Sequence, residues 1–165
     1  MLSFAALSVA AILGTNSLSQ VPELATPTAP LQLAYTHTAR TEVAFLDLNS
    51  LERSGDLVQA WGFYVLAEPI QTFAPFPADV YWARISLDCA ARTGRFTHAI
   101  AIVDGVIAFN APVTSEPTPT QGAWALDAAY ACDGETPARP VVADTDAAIL
   151  ASREIMASDA WGAED

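Results

Sequence analysis

Alternation of apolar and polar positions predicts an antiparallel sheet in the middle of the chain. The signal is clearest at residues 80–89, where every second side chain is apolar: Tyr81, Ala83, Ile85, Leu87 and Cys89. A strand with one face on a core has this period of two residues. Weaker versions of the pattern predict strands at 41–48, 57–66, 96–103 and 106–110.

Turn signals between these strands indicate a meander. Asp104-Gly105 between two apolar runs is the signature of a two-residue hairpin. The prolines of residues 68–79 predict a surface loop, because proline cannot donate to a ladder. We therefore expect the α+β class, with an antiparallel meander of about five strands against a packed C-terminal helix.

Two segments after the strands carry helix signals. Thr118 suits an N-cap and Pro119 the first helical position, so a short helix is predicted from there to about Cys132, with Gly134 past its end. Trp124, Ala128 and Cys132 would share one face of it. Asp144 is a candidate cap for a second helix at 145–157, whose apolar stripe is weak.

The ends of the chain differ in composition from its middle. The apolar run at the start has the length of a signal-peptide core, so residues 1–19 are predicted to be a signal peptide, the alternative being a buried N-terminal helix. Residues 20–40 then form a proline-rich linker, 41–133 the α+β domain and 134–165 an acidic C-terminal tail with a short helix. We expect an exported protein, periplasmic or secreted, without a stable membrane span.

Charge narrows the range of partners. The 165 residues include 19 acidic and 7 basic ones, which gives a net charge of -12. Such a surface repels phosphate backbones, so no nucleic-acid partner is expected. An acidic surface also keeps an exported protein in solution.

The two cysteines admit two interpretations. Cys89 precedes Arg92 and Arg95, whose positive field could activate a thiol. Strand alternation instead turns Cys89 inward, and Cys132 lies on the apolar face of the predicted helix. Two inward-facing cysteines in an exported chain most simply form one disulfide, Cys89–Cys132.

No other residue pattern predicts catalytic, cofactor or metal chemistry. His37 and His98 are isolated, and the acidic run at 144–146 lacks the glycine and final glutamate of a calcium loop. There is no glycine-rich phosphate loop and no nucleophile elbow. A serine–histidine–carboxylate triad assembled only by the fold stays open, with His98 as its candidate base.

One group of side chains is a candidate interaction face. Trp82, Arg84 and Ser86 share the side of their strand opposite the apolar residues, and Trp and Arg are enriched at binding hot spots. The alternative is that the C-terminal segment covers this face and makes Trp82 part of a core.

Three motifs in order resemble the surface-adhesin protein E-like family of bacterial envelope proteins. The first is an Asp-x-x-Ser-Leu-x-Arg-x-Gly turn with a Val-x-x-Trp strand, formed here by Asp47, Ser50, Leu51, Arg53, Gly55, Val58 and Trp61. The second is Asp88-Cys89 with a following arginine, and the third is the helix that ends on Cys132. The resemblance spans about residues 41–133 and implies a small α+β domain with one disulfide.

The expected function is therefore that of a non-enzymatic, exported binding or adhesin-like domain with an unassigned protein or envelope partner. This chain carries no lysine, so its surface does not look built for contacts with matrix proteins. The resemblance therefore supports the family's fold more strongly than its adhesive function. A small periplasmic hydrolase that uses His98 is the alternative. A homodimer formed through a sheet edge or face is a third possibility.

Overall fold

The computed structural model describes residues 26–71 and 74–158, which form an antiparallel sheet and two α-helices. The strands are β1 (Leu33–Thr38), β2 (Glu42–Ser54), β3 (Leu57–Ile70), β4 (Ala78–Asp88), β5 (Thr93–Val103), β6 (Val106–Pro112) and β7 (Thr118–Pro119). The helices are α1 (Ala125–Ala131), entered through a 3-10 turn at Gly122–Trp124, and α2 (Thr145–Ala157). The predicted signal peptide and the last residues of the acidic tail lie outside the described residues.

The strands follow one another as a meander. Each of β1 to β6 pairs with the next in antiparallel fashion, and β7 pairs with β5 beyond the end of β6. Asp104 and Gly105 both have positive φ, 51° and 75°, as the predicted two-residue hairpin requires. The α+β class is thus confirmed at the level of one antiparallel sheet, two helices and one disulfide, while the sheet has seven strands rather than about five.

One additional strand, β1, lies within the segment predicted to be a linker. Leu33 and Ala34 are fully buried, and β1 pairs with β2 from Leu33↔Asp47 to Thr38↔Val43. The proline run ends at Pro30, so the residues after it are free to join the sheet. The outer side of β1 is itself covered at Leu33, which exchanges two main-chain hydrogen bonds of 2.9 Å with Val142.

The first helix is shorter than its sequence signals indicate. Thr118 and Pro119 form β7 instead of a helix start, opposite Gly94 and Thr93. Gly122 has φ +60°, a left-handed conformation that an α-helix cannot pass through. The helix therefore begins only after Trp124.

The sheet buries apolar side chains on both faces. The α2 face is the side covered by α2, and the α1 face is the side covered by α1. The core of the α2 face consists of Leu33, Val43, Phe45, Trp61, Phe63, Val65, Val80, Trp82, Ile100 and Ala148. The core of the α1 face consists of Ala34, Leu46, Val58, Ala60, Ile85, Leu87, Tyr130 and Ala131.

Helix α2 docks through small residues. Asp144 caps its start by accepting a 2.7 Å hydrogen bond from the Ala147 N–H. Ala148 and Ser152, one turn apart, are fully buried and allow the helix axis to lie close to the sheet. Near its C-terminus Arg153 forms an ion pair with Asp79.

Candidate functional site

Cys89 and Cys132 form the predicted disulfide, with their Cα atoms 5.4 Å apart. It joins the residue after β4 to the residue after α1. Beside it, Arg92 forms two hydrogen bonds of 2.9 and 3.0 Å with the Asp133 carboxylate, which lowers the pKa of Asp133. Arg92 therefore takes part in an exposed ion pair at the disulfide and has no thiol to activate.

The candidate face at Trp82, Arg84 and Ser86 is not an exposed surface. Trp82 is 5% exposed and Ser86 8%. Trp82 packs in the same core as Phe63, at 4.8 Å between ring centroids, and as Ala148 of α2. Trp82 is therefore covered by the C-terminal helix α2, as the alternative interpretation has it, and does not form an open surface.

Arg84 is committed to neighbours within the chain. It donates to Glu52 at 2.6 Å and to the Gln59 side chain at 3.0 and 3.2 Å. Its guanidinium carbon lies 5.8 Å from the Trp61 ring centroid, in cation–π range. These contacts form one wall of a polar recess of about 260 Å³ near Asn49 and Ser50.

The residues of the first sequence motif have architectural contacts. Asp47 is 1% exposed and accepts hydrogen bonds from the main-chain N–H groups of Gln32 and Asn49. Ser50 donates to the Asp47 carbonyl and accepts from the Trp61 N–H, both at 2.7 Å, across the register shift between β2 and β3. The motif thus holds an irregularity in β2.

Arg53 belongs to the same motif and links β2 to α1. Its guanidinium donates to the Ala131 carbonyl at 2.6 Å and to the Cys132 carbonyl at 3.4 Å. These are carbonyls that the end of a helix leaves without partners. Arg53 therefore caps α1 at the point where the disulfide also holds it.

His98 lies on β5 with an amide as its side-chain partner. One ring nitrogen, Nε2, is 2.5 Å from the Asn110 side-chain oxygen, and the ring packs edge-on against Trp61. Among the described residues, no serine or carboxylate is hydrogen-bonded to His98. The geometry observed here orients the ring and does not assemble the triad that the hydrolase hypothesis requires.

A buried carboxyl group lies between α1 and the sheet. Asp127 is 5% exposed, and no hydrogen-bond donor in the described part of the chain reaches its Oδ1 atom. Burial raises the pKa of Asp127 to about 7, although a hydrogen bond from Thr36 opposes this increase. Burial also raises the pKa of nearby Glu42 and places that of Tyr64 well above its usual range.

Strand β6 is exposed and forms one edge of the sheet. Val106 is 66% exposed and Ile107 54%. The run from Val106 to Ser115 contains no charged residue in a chain of net charge -12. We call the outward side of Val106–Pro112 the β6 edge; within the described residues no strand pairs with it.

The register of β6 determines which main-chain groups point outward. The Val113 N–H donates to the Thr97 carbonyl at 3.2 Å, so this pair is a hydrogen-bonded one. Such pairs alternate with non-bonded ones along an antiparallel ladder. Asn110, opposite Ile100, falls in a non-bonded pair, and its N–H and C=O therefore point away from β5. Pro112, which has no N–H to offer, occupies the next non-bonded position.

An apolar cavity adjoins the β6 edge on the α2 face. It has a volume of about 280 Å³ and is lined by Ile107, Ile102, Ile100, Trp82, Thr145 of α2 and residues of the segment 26–31. The sequence pattern predicts β6 as a strand but does not identify it as an edge. Pro112 within the uncharged run was the available signal, since proline within a sheet is confined to edges.

Residues 26–71 and 74–158 contain no cluster of three or more His, Cys, Asp or Glu side chains arranged for a metal ion. Neither described helix is long and apolar enough to cross a bilayer. No family model, curated protein or solved structure matches the chain.

Proposed function

We propose that the chain is an exported, non-enzymatic binding domain that recognises a polypeptide partner by adding an extended strand to the β6 edge. The observation that carries the proposal is the uncharged edge strand, exposed at Val106 and Ile107, with the main-chain groups of Asn110 pointing away from β5. Unpaired N–H and C=O groups at a sheet edge are a template for strand addition. The opposite edge is less accessible, because Val142 pairs with Leu33 there.

The disulfide supports the exported location. Disulfides persist in oxidising compartments and are rare in the cytosol. A bridge between Cys89 and Cys132 thus fits a periplasmic or secreted protein. Relationship to the surface-adhesin protein E-like family is part of the same proposal, and the motif residues support it through the contacts of Asp47, Ser50 and Arg53.

The edge can be tested by a matched pair of substitutions at one position. Asn110→Pro removes the outward N–H, whereas Asn110→Ala removes only the side-chain contact to His98 and keeps that N–H. A photo-crosslinking amino acid at Ala108, on β6, would be carried by the wild type and by both variants in the envelope of the producing cell. A crosslinker at Leu150, which is 63% exposed on α2, is the control for random collision.

We expect one adduct from Ala108 that persists in Asn110→Ala, disappears in Asn110→Pro and is absent from Leu150. The crosslinked residues of the partner, mapped by mass spectrometry, should lie in an extended segment. The proposal would be contradicted if positions 108 and 150 gave equal yields of adduct, or if Asn110→Pro did not change the yield from position 108. Thermal unfolding of each variant verifies that the fold is retained.

A further inference from the structure

We infer that the segment recognised by the β6 edge has an apolar centre and basic residues at both ends. This inference rests on the proposed function and specifies its partner. It is drawn from three features of the edge: the acidic residues that bracket it, the cavity beside its middle, and the consequence of pairing it with a second copy.

Acidic residues lie at each end of the uncharged run. Asp104 is exposed in the hairpin turn before β6, and Glu116 is exposed in the segment that continues along β5 after it. Neither residue takes part in an ion pair. The described residues contain three ion pairs, and none of them includes Asp104 or Glu116. A strand that runs alongside β6 and extends from Asp104 to Glu116 would meet an unpaired carboxylate at each end, where arginine or lysine is favourable.

The middle of the edge favours apolar side chains. Side chains of an added strand alternate between the two faces of the sheet. On the α2 face, those near Ile107 would meet the cavity of about 280 Å³ with its floor of Trp82, Ile100 and Ile102. Main-chain hydrogen bonds would supply affinity, and this cavity would select valine- or isoleucine-sized groups.

Self-pairing is the less favourable use of the same edge. A symmetric antiparallel pairing centred on Asn110 places Asp104 of one copy opposite Glu116 of the other, because each lies six residues from the centre. Both ends of a dimer would then oppose like charges, which is destabilising in cross-strand pairs. The same carboxylates that disfavour a second copy favour a basic-ended segment.

Synthetic peptides test the inference directly. Three thirteen-residue peptides, long enough to reach from Asp104 to Glu116, share a centre of alternating valine and threonine and differ only in their paired end residues, which are arginine, glutamine or glutamate. Binding to the whole oxidised protein is measured by calorimetry or by amide chemical shifts in low salt. The double variant Asp104→Asn, Glu116→Gln removes the end charges, and Asn at position 104 keeps the positive φ of the turn.

A second double variant, Asp146→Asn, Glu154→Gln, is the matched control. It changes the net charge equally but lies on exposed positions of α2, neither of which lines the cavity beside β6. For the wild type and this control, we expect the arginine-ended peptide to bind about tenfold more tightly than the glutamate-ended one, a ratio that salt reduces. The edge variant should bind all three peptides with similar affinity.

The outcomes separate the partner chemistry from the binding mode. If the three peptides bind the wild type with equal affinity and Asn110→Pro abolishes binding, the inference that the partner has basic ends is overturned, while the proposal of recognition at the β6 edge stands. If binding is indifferent to Asn110→Pro, or no peptide binds at millimolar concentration, both proposals are overturned. Loss of the arginine preference in the α2 control as well as in the edge variant would assign the effect to net charge and overturn the inference.

Discussion

At the scale of single residues, Asp127 shows how the fold departs from what local pattern predicts. It lies in the first turn of α1, where an acidic residue is favourable to the helix dipole and is usually solvated. Here the turn faces the sheet, so the carboxyl group is buried beside Thr36 and near Glu42. Its neutral form is therefore the one that the native state favours below about pH 7.

The raised pKa of Asp127 predicts how stability depends on pH. Its pKa is about 7 in the folded state, against an ordinary value of 3.8. Between these values the folded state binds more protons than the unfolded state, so the free energy of unfolding should fall as pH rises from 4 to 7. Asp127→Asn keeps an acceptor for Thr36 and removes the charge, so it should stabilise the protein at pH 8, by up to about 4 kcal/mol.

Denaturant unfolding at pH 4 and pH 8 measures this effect. Near pH 4 the variant and the wild type should be almost equally stable, because the wild-type carboxyl group is then protonated. Asp146→Asn, in the exposed first turn of α2, is the control and should leave the pH dependence unchanged. A wild-type stability that rises from pH 4 to pH 8 through Asp127 would contradict the prediction.

Gly94 is a second residue whose role the sequence conceals. It lies in β5, and a Cβ atom there would come within 2.8 Å of the Trp124 ring. The glycine is needed for the close approach of this ring to the sheet. Such a requirement depends on a residue thirty positions away and cannot be inferred from the local pattern.

At the scale of elements, the sequence predicted the strands better than it predicted which segments pack against the faces of the sheet. Strands β4 and β5 were identified from alternation and β6 from its hairpin, because those signals are local. The weak apolar stripe of α2 concealed its docking, since it is Ala148 and Ser152 that are buried against the sheet. Small buried residues contribute little to hydrophobic periodicity but permit close packing. Because the docking of α2 was concealed in this way, the sequence left open whether Trp82 is exposed or buried under it.

The end of α1 is held by two connections that should depend on each other. The disulfide closes a separation of 43 residues, and Arg53 binds the Ala131 carbonyl beside it. Loss of the bridge in a Cys89→Ala, Cys132→Ala variant should lower the free energy of unfolding by about 4 kcal/mol. In the oxidised protein, Arg53→Gln should cost about 1 kcal/mol through the lost helix-end hydrogen bond.

A double-mutant cycle tests whether the two connections act together. Without the bridge, the end of α1 is free to fray, and Arg53→Gln should then cost less than it does in the oxidised protein. Chemical denaturation of the four proteins gives the coupling free energy. Arg95→Gln, an exposed arginine on β5, is the control; strictly additive effects of Arg53 and the bridge would show that they act independently.

At the scale of the whole molecule, negative charge and an open sheet edge act against each other. The β6 edge would allow self-association, and the acidic residues at its ends should keep copies apart. Because the repulsion is electrostatic and the groups are exposed, it should weaken with ionic strength. We therefore expect the wild type to be monomeric at micromolar concentration in low salt.

Sedimentation velocity tests this balance with the variants already introduced. Asp104→Asn, Glu116→Gln should raise the fraction of dimer at a given concentration, and adding Asn110→Pro to it should restore the monomer by removing the outward N–H. The α2 control, Asp146→Asn, Glu154→Gln, has the same net charge as the edge variant and should stay monomeric. If it dimerises equally, total charge rather than the ends of β6 governs association; if the wild type is already a dimer in low salt, the carboxylates at the edge do not protect it.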